Sequence, residues 1–405
     1  MSLNLNKLSV MGKNMHGSEI RRLFATSMRP NVISFAGGMP DPGSFPSKKV
    51  AQLVEKLLLD RGEAYLQYGP SRGTTKGISA AIDRMKRRDI AAETDEIIMT
   101  SGSQQAIDLM TRTFIDPGDM ILVENPTFIG ALGTFRNGMA MITGVPIDNY
   151  GIIPEELVTI LENTKKKGHK VKFLYLLPNF QNPTGQTMAL ERRKLVLQIA
   201  EEYDFLIFED DPYGELWFTG GLDSVRPIKS LDQNDRVIYT SSFSKIISPG
   251  IRLGWLAAPS QLIERFDMGK QMMDVCTNPL MQAVAHELCV EGFLDEHIDR
   301  LRHIYSSRAQ TMLNALSQYM PEGVSWTKPD GGFFIWVTLP EHVNTLKLLE
   351  IALANDVVYV IGSAFYAEAN GENTLRISFC HENEQTIEEG IKRLGKAVKE
   401  YLVKN

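Results

Sequence analysis

Between residues 47 and 260, short runs rich in β-branched and aromatic side chains alternate with helical stretches, and this alternation narrows the fold most. Strand candidates fall at 96–100, 120–124, 139–146, 171–177, 205–209, 237–241 and 252–258. Helical patterns separate them, for example at 103–114, 127–136, 154–164 and 190–203. Parallel strands need a long crossover, and a helix is what normally fills it. The pattern predicts an α/β unit of three layers, with helices on both faces of a mostly parallel seven-stranded sheet. After residue 259 the pattern changes: helical stretches run over 261–316 with a break at Thr277-Asn-Pro279, then a strand pair near 333–337 and 374–379, then a helix at 384–403. That order suggests a small α+β domain. We expect a large domain over 48–295, and a small domain built from 296–405 together with 1–47. The Gly/Pro-rich run from Phe35 to Pro46 is expected to cross the surface and pack beside the C-terminal part.

A chain of 405 residues can bury a large core without staples. Its 43% hydrophobic and 23% charged content, with 32 glycines and 19 prolines, excludes collagenous and disordered classes. A net charge of −6 argues against a nucleic-acid binder. Cys276, Cys289 and Cys380 are widely spaced and form no CxxC pair or Cys/His cluster. No metal site or disulfide framework is therefore expected, and free thiols suit a reducing cytoplasm. The N-terminus lacks the apolar core of a signal peptide, and the longest apolar runs fall far short of the ~20 residues that span a bilayer. A cytoplasmic protein with no membrane partner is the expectation.

The strongest chemical signal is Thr240-Ser-Ser-Phe-Ser-Lys245 followed by Ser248-Pro-Gly-Ile-Arg-Leu-Gly254. A strand ends in a hydroxyl-rich turn that presents a lysine, and a Pro-Gly bend leads to an arginine. Desolvation or cationic neighbours turn such a lysine into a nucleophilic amine. Hydroxyls and a guanidinium are what a phosphate dianion requires. A Schiff-base lysine beside a phosphate site points to pyridoxal 5′-phosphate. Thr100-Ser-Gly-Ser-Gln-Gln105, between a strand and a helix, offers backbone N–H groups to the same phosphate, with Ser103 as the expected cap. Asn179-Phe-Gln-Asn-Pro-Thr-Gly185 is a turn at the C-terminal end of a strand, where open α/β sheets bind ligands. In Phe205-Leu-Ile-Phe-Glu-Asp-Asp-Pro-Tyr213, an apolar run meets three consecutive carboxylates. Burying one is costly unless a cation pairs with it, and a protonated pyridine nitrogen is such a cation.

In this order the segments resemble the fold-type I pyridoxal-phosphate enzymes, specifically the class I/II aminotransferases, over nearly the whole chain. The resemblance implies that Lys245 carries the cofactor as a Schiff base and moves the substrate proton. Asp210 would hold the pyridine nitrogen, while Tyr213 and Asn182 would bond the ring hydroxyl, with Asn182 also helping to orient the substrate carboxylate. Ser103, Gln104, Ser242, Arg252 and, more weakly, Ser244 match the phosphate cup. Phe128, in Glu124-Asn-Pro-Thr-Phe128, matches the aromatic stacked on the ring. Tyr68, in Leu66-Gln-Tyr-Gly-Pro70, matches a tyrosine that reaches the neighbouring subunit's phosphate, which implies a homodimer with shared sites. Arg376, in Thr374-Leu-Arg-Ile-Ser-Phe379, matches the arginine that grips the substrate α-carboxylate. The segment from Pro329 to Trp336 is read as structural.

Gly17-Ser-Glu-Ile-Arg-Arg22 followed by Ile33-Ser-Phe-Ala-Gly-Gly-Met-Pro-Asp-Pro42 is similar to the 2-aminoadipate/kynurenine and multi-substrate subgroup. There, an arginine aligned with Arg21 binds a distal carboxylate, and Ser18 and Gly38 complete the substrate pocket. The expected function is ping-pong transfer of the amino group of 2-aminoadipate, aromatic or branched aliphatic amino acids to 2-oxoglutarate. The alternatives are a β-lyase or decarboxylase on the same scaffold and, from a different class, an amino-acid-sensing domain of a transcription regulator. The latter needs a helix-turn-helix, and about 30 residues before Phe35 are too few for one.

Overall fold

The computed structural model describes residues 7–15 and 31–404. Fourteen strands occur among them: β1 (Ile33–Ser34), β2 (Ile97–Thr100), β3 (Met120–Asn125), β4 (Met141–Asp148), β5 (Gly151–Ile152), β6 (Val171–Leu176), β7 (Leu206–Asp210), β8 (Val237–Ser242), β9 (Gly254–Ala257), β10 (Ser325–Trp326), β11 (Phe334–Thr338), β12 (Val357–Val358), β13 (Val360–Ile361) and β14 (Thr374–Ser378). The main sheet runs in the order β2-β9-β8-β7-β6-β3-β4-β5. Its centre, from β8 to β4, is parallel, whereas β9 is antiparallel to both β8 and β2.

The expected count of seven is corrected to eight. The extra strand is β5, two residues that fold back antiparallel on the end of β4. Two residues carry no periodicity, so the sequence gives no warning of such a strand.

Alternate residues of one strand enter separate cores, which shows that both faces are covered. Ile121 and Val123 of β3, and Phe173 and Tyr175 of β6, join the core that holds Ala106, Ile107 and Met110 of the helix Ser103–Phe114. Leu122, Leu174 and Leu176 join the opposite core, with Leu157 and Leu161 of the helix Pro154–Lys166 and Val196 and Ala200 of the helix Leu190–Glu202. Each large apolar side chain so buried contributes about 1.5–3 kcal/mol.

The later elements follow their local signals. Pro279 opens the helix Pro279–Val290, and the Asn278 side chain accepts the Met281 N–H, so the Asn-Pro break becomes a capped start. A smaller sheet runs β10-β11-β14-β13, antiparallel throughout. The N-terminal run lies beside it: β1 and β12 form a separate two-stranded parallel sheet, and the Phe35 carbonyl accepts the Ser378 N–H of β14 at 3.0 Å. The C-terminal ends of β6, β7 and β8 therefore face a segment that is early in sequence and a strand that is late in sequence.

Candidate active site

A cavity of about 300 Å³ opens at these strand ends. Lys245 lies in the turn just after β8, and its Nζ donates to the Gly38 carbonyl at 2.9 Å. Burial lowers its pKa to about 8, with Arg376 and Arg252 acting in the same direction against Cys380 and Asp210. Gly38 has no room for a side chain, since a Cβ there would lie 2.7 Å from the Phe334 ring.

The three consecutive carboxylates part company. Glu209 accepts the backbone N–H groups of Ile228 and Lys229 at 2.9 and 2.8 Å. Asp211 pairs with Arg88 at 2.9 Å and also accepts from Asn179 and Tyr239. Asp210, at the end of β7, lines the cavity. Its Oδ2 accepts the Tyr175 hydroxyl at 2.8 Å, and its Oδ1 is buried with no partner among the described residues. Burial raises its pKa to about 7. Such a carboxylate, with one oxygen unsatisfied, fits a protonated ring nitrogen.

Asn182 and Arg376 meet although 194 positions separate them: Arg376 Nη1 donates to Asn182 Oδ1 at 2.8 Å, and Nη2 donates to the Ala36 carbonyl at 2.7 Å. The guanidinium lies 4.2 Å above the Phe334 ring, its Nε has no partner among the described residues, and burial lowers its pKa to about 10. Among the described residues no carboxylate forms an ion pair with it. A buried, uncompensated fork of donors suits a planar carboxylate ligand. Tyr213 packs edge-on against Phe333 and Phe334, and burial raises the pKa of its hydroxyl, with the Asn182 side chain acting against that rise.

Ser103, Gln104, Ser242, Ser244 and Arg252, the residues expected to cup a phosphate, also line this cavity. Gly102, not Ser103, is the N-cap of the helix Ser103–Phe114, which corrects the expected capping role. Gly102 adopts φ 83°, a left-handed conformation that glycine accepts at little cost, and this places Ser103 inside the first turn. The Ser103 Oγ is buried without a partner. Arg252 also has a left-handed backbone, φ 50°, and donates to the Ser101 carbonyl at 2.7 Å. A Cβ on Gly102 would come within 2.6 Å of that guanidinium. The Ser242 and Ser244 hydroxyls are hydrogen-bonded to each other at 2.7 Å, and the Leu253 carbonyl lies 3.1 Å from Ser242 Oγ. Gln104 lines the cavity and donates to Thr134 Oγ1 at 2.7 Å. Phe128 lines it too, its ring passing over Gly130.

The structure does not bring every expected residue here. Tyr68 is 76% exposed and stays outside its own chain's cavity. Ser18 and Arg21 lie outside the described residues. Sequence reasoning missed Tyr175 and the cavity-lining role of Phe334. The alternation of β6 puts Tyr175 on the same face as Leu177, and a phenol within an apolar run needs a partner, so a signal existed. Phe334 carried no polar mark. Among the described residues there is no metal-binding cluster and no helix long and apolar enough to cross a membrane.

Residues 30–394 match the family of class I and II aminotransferases. The chain is 44% identical over 391 residues to aromatic-amino-acid aminotransferase 1 of Thermococcus litoralis, covering 96% of this chain and 93% of the relative. It is 37% identical over 389 residues to 2-aminoadipate transaminase of Thermus thermophilus, covering 96% and 95%. The crystal structure of a multiple substrate aminotransferase from Thermococcus profundus matches with a TM-score of 0.95 at 42% identity, covering 100% of both chains.

Proposed function

The chain belongs to the class I and II aminotransferases, and on that premise we propose that it transfers the amino group of aromatic amino acids, 2-aminoadipate and branched aliphatic amino acids to 2-oxoglutarate. The enzyme is a transaminase dependent on pyridoxal phosphate. The residues present fit that cofactor: the unpartnered Oδ1 of Asp210 suits its ring nitrogen, and the unpartnered Ser103 Oγ with Arg252 suits its phosphate. Asn182 and Tyr213 would hold the ring hydroxyl, Phe128 would stack on the ring, and Ser242, Ser244 and Gln104 would complete the cup. When bound, the cofactor supplies an electron sink for the pair released from the substrate Cα.

The remaining chemistry belongs to the chain. Lys245 holds an amine that is neutral at mildly alkaline pH, so its Nζ can take the Cα proton and return it on the other side of the transfer. Arg376 fixes the α-carboxylate through the donors it now spends on neutral acceptors. The observation that carries the proposal is this buried cation with no counter-ion among the described residues, in the same cavity as a lysine of lowered pKa.

A homodimer with shared sites is part of the reading. It is supported by Tyr68 standing outside its own cavity and by neighbouring exposed apolar side chains, Leu66 at 75% and Met272 at 85%. Arg21 and Ser18 would meet the distal group of a dicarboxylic substrate, with Gly38 beside it. Three unpaired thiols suit a cytoplasmic setting.

The test is a donor and acceptor panel followed by keto-acid release. Turnover that depends on an added 2-oxo acid is expected. Sustained keto-acid release without any acceptor overturns the transferase reading in favour of a lyase.

A further inference from the structure

Tyr175 belongs to neither set of expected residues, yet its hydroxyl reaches the carboxylate assigned to the ring nitrogen. It sits in β6 opposite Phe208 of β7, and Asp210 lies two residues further along β7 on the same face. The side chain is 0% exposed and is held by the rings of Phe135 and Phe208, at centroid distances of 5.4 and 5.6 Å. A buried hydroxyl is costly unless paired, and a phenylalanine would fill the same space without that cost. The pairing that offsets it is the 2.8 Å bond to Asp210 Oδ2.

We propose that Tyr175 is a positioning residue for the reaction: its phenol turns Asp210 so that Oδ2 is occupied and Oδ1 is left free for the cofactor's ring nitrogen. This rests on the reading of Asp210 given above.

The choice of a neutral donor has a chemical reason. Asp211, one residue on, is matched by a cation, Arg88. A cation on Asp210 would satisfy the carboxylate and weaken its hold on a protonated nitrogen. A phenol steadies the ionised form while leaving its charge to the ligand. The groups that face Asp210 are Lys245 from the turn after β8, Asp211 beside it, Tyr213 from the following turn and Tyr175 from β6, with Glu124 of β3 acting on Tyr175. Asp211 and burial favour the neutral acid, whereas Tyr175 and Lys245 favour the carboxylate. Losing the phenol moves the balance toward the neutral acid.

The experiment measures binding of pyridoxal phosphate to the apoenzyme for wild type, Tyr175→Phe, Asp210→Asn and the double variant, alongside the pH profile of kcat/KM. Tyr175→Phe is expected to weaken cofactor binding about tenfold and move the acid limb to higher pH by about one unit, as loss of a hydrogen bond to a charged group implies. In the Asp210→Asn background the same change should cost nothing further. Phe135→Leu, which touches Tyr175 but not Asp210, controls for packing and should lower thermal stability without moving the acid limb. An unmoved acid limb in Tyr175→Phe, or an undiminished loss in the double variant, overturns the inference while the reading of Asp210 stands. Unchanged cofactor binding in Asp210→Asn overturns both.

Discussion

Arg376 donates a 2.8 Å hydrogen bond to Asn182 Oδ1 across 194 positions of sequence, and both side chains are almost wholly buried. The arginine comes from the smaller sheet and the asparagine from the turn after β6 of the larger one, so the proposed grip on a substrate would join two sheets. Its acceptors are an amide and a backbone carbonyl, both neutral. A carboxylate that enters displaces weak partners and not an ion pair.

Arg376→Lys tests that grip. Lysine keeps the charge but lacks the fork, and each charged hydrogen bond lost costs about 1.5–3 kcal/mol. We expect kcat/KM for every amino donor to fall by about a hundredfold, mainly through KM, in steady-state assays. A variant within about threefold of wild type would exclude Arg376 from carboxylate binding.

Lys245 should capture the cofactor with a distinctive pH dependence. Only the neutral amine attacks, and its fraction falls tenfold for each pH unit below a pKa lowered by burial to about 8. Stopped-flow reconstitution of the apoenzyme should therefore speed up to about pH 8 and level off above it. A rate still climbing tenfold per unit beyond pH 9 would indicate an ordinary, solvated lysine. Lys245→Ala should abolish both turnover and the visible absorbance of lysine-linked cofactor.

Gly102→Ala should damage the anion cup. The backbone there has φ 83°, and the new methyl would meet the Arg252 guanidinium at 2.6 Å. Strain of this kind costs about 1–3 kcal/mol. A lowered melting temperature is expected, together with weaker pyridoxal phosphate binding that exceeds the loss for pyridoxal, which lacks the phosphate. Equal losses for the two ligands would remove Arg252 from the phosphate site.

Arg21→Ala separates substrate classes. If Arg21 binds a distal carboxylate, kcat/KM for 2-aminoadipate should drop at least tenfold while the value for phenylalanine changes little. Equal losses in parallel assays would end that assignment.

Much of the site is legible in the sequence because its parts are local. Lys245 and Arg252 share one turn, Asn182 sits in an Asn-Pro-Thr-Gly segment, and Asp210 closes an apolar strand. The identity of the ionised partner among Glu209, Asp210 and Asp211 depends on what each meets across space: backbone amides, a phenol or Arg88. Tyr175 and Phe334 escaped notice because each looks like ordinary core filling in its own strand, and their importance arises from a neighbour far away in sequence. The cap at Gly102 is hidden in the sequence, since a left-handed φ leaves no mark beyond the glycine itself. The eighth strand of the main sheet is two residues long and follows from the way β4 ends.

The backbone at residues 36–38 has a mechanical consequence. Two carbonyls, those of Ala36 and Gly38, stand two positions apart, and each receives one of the site's cationic side chains, Arg376 and Lys245. One short stretch of chain thus tethers the group that would grip the acid end of a substrate and the group that would work at its amine end. Displacing that stretch would slacken both tethers together, so under the proposed roles seating the ligand and releasing the base would share a single moving part.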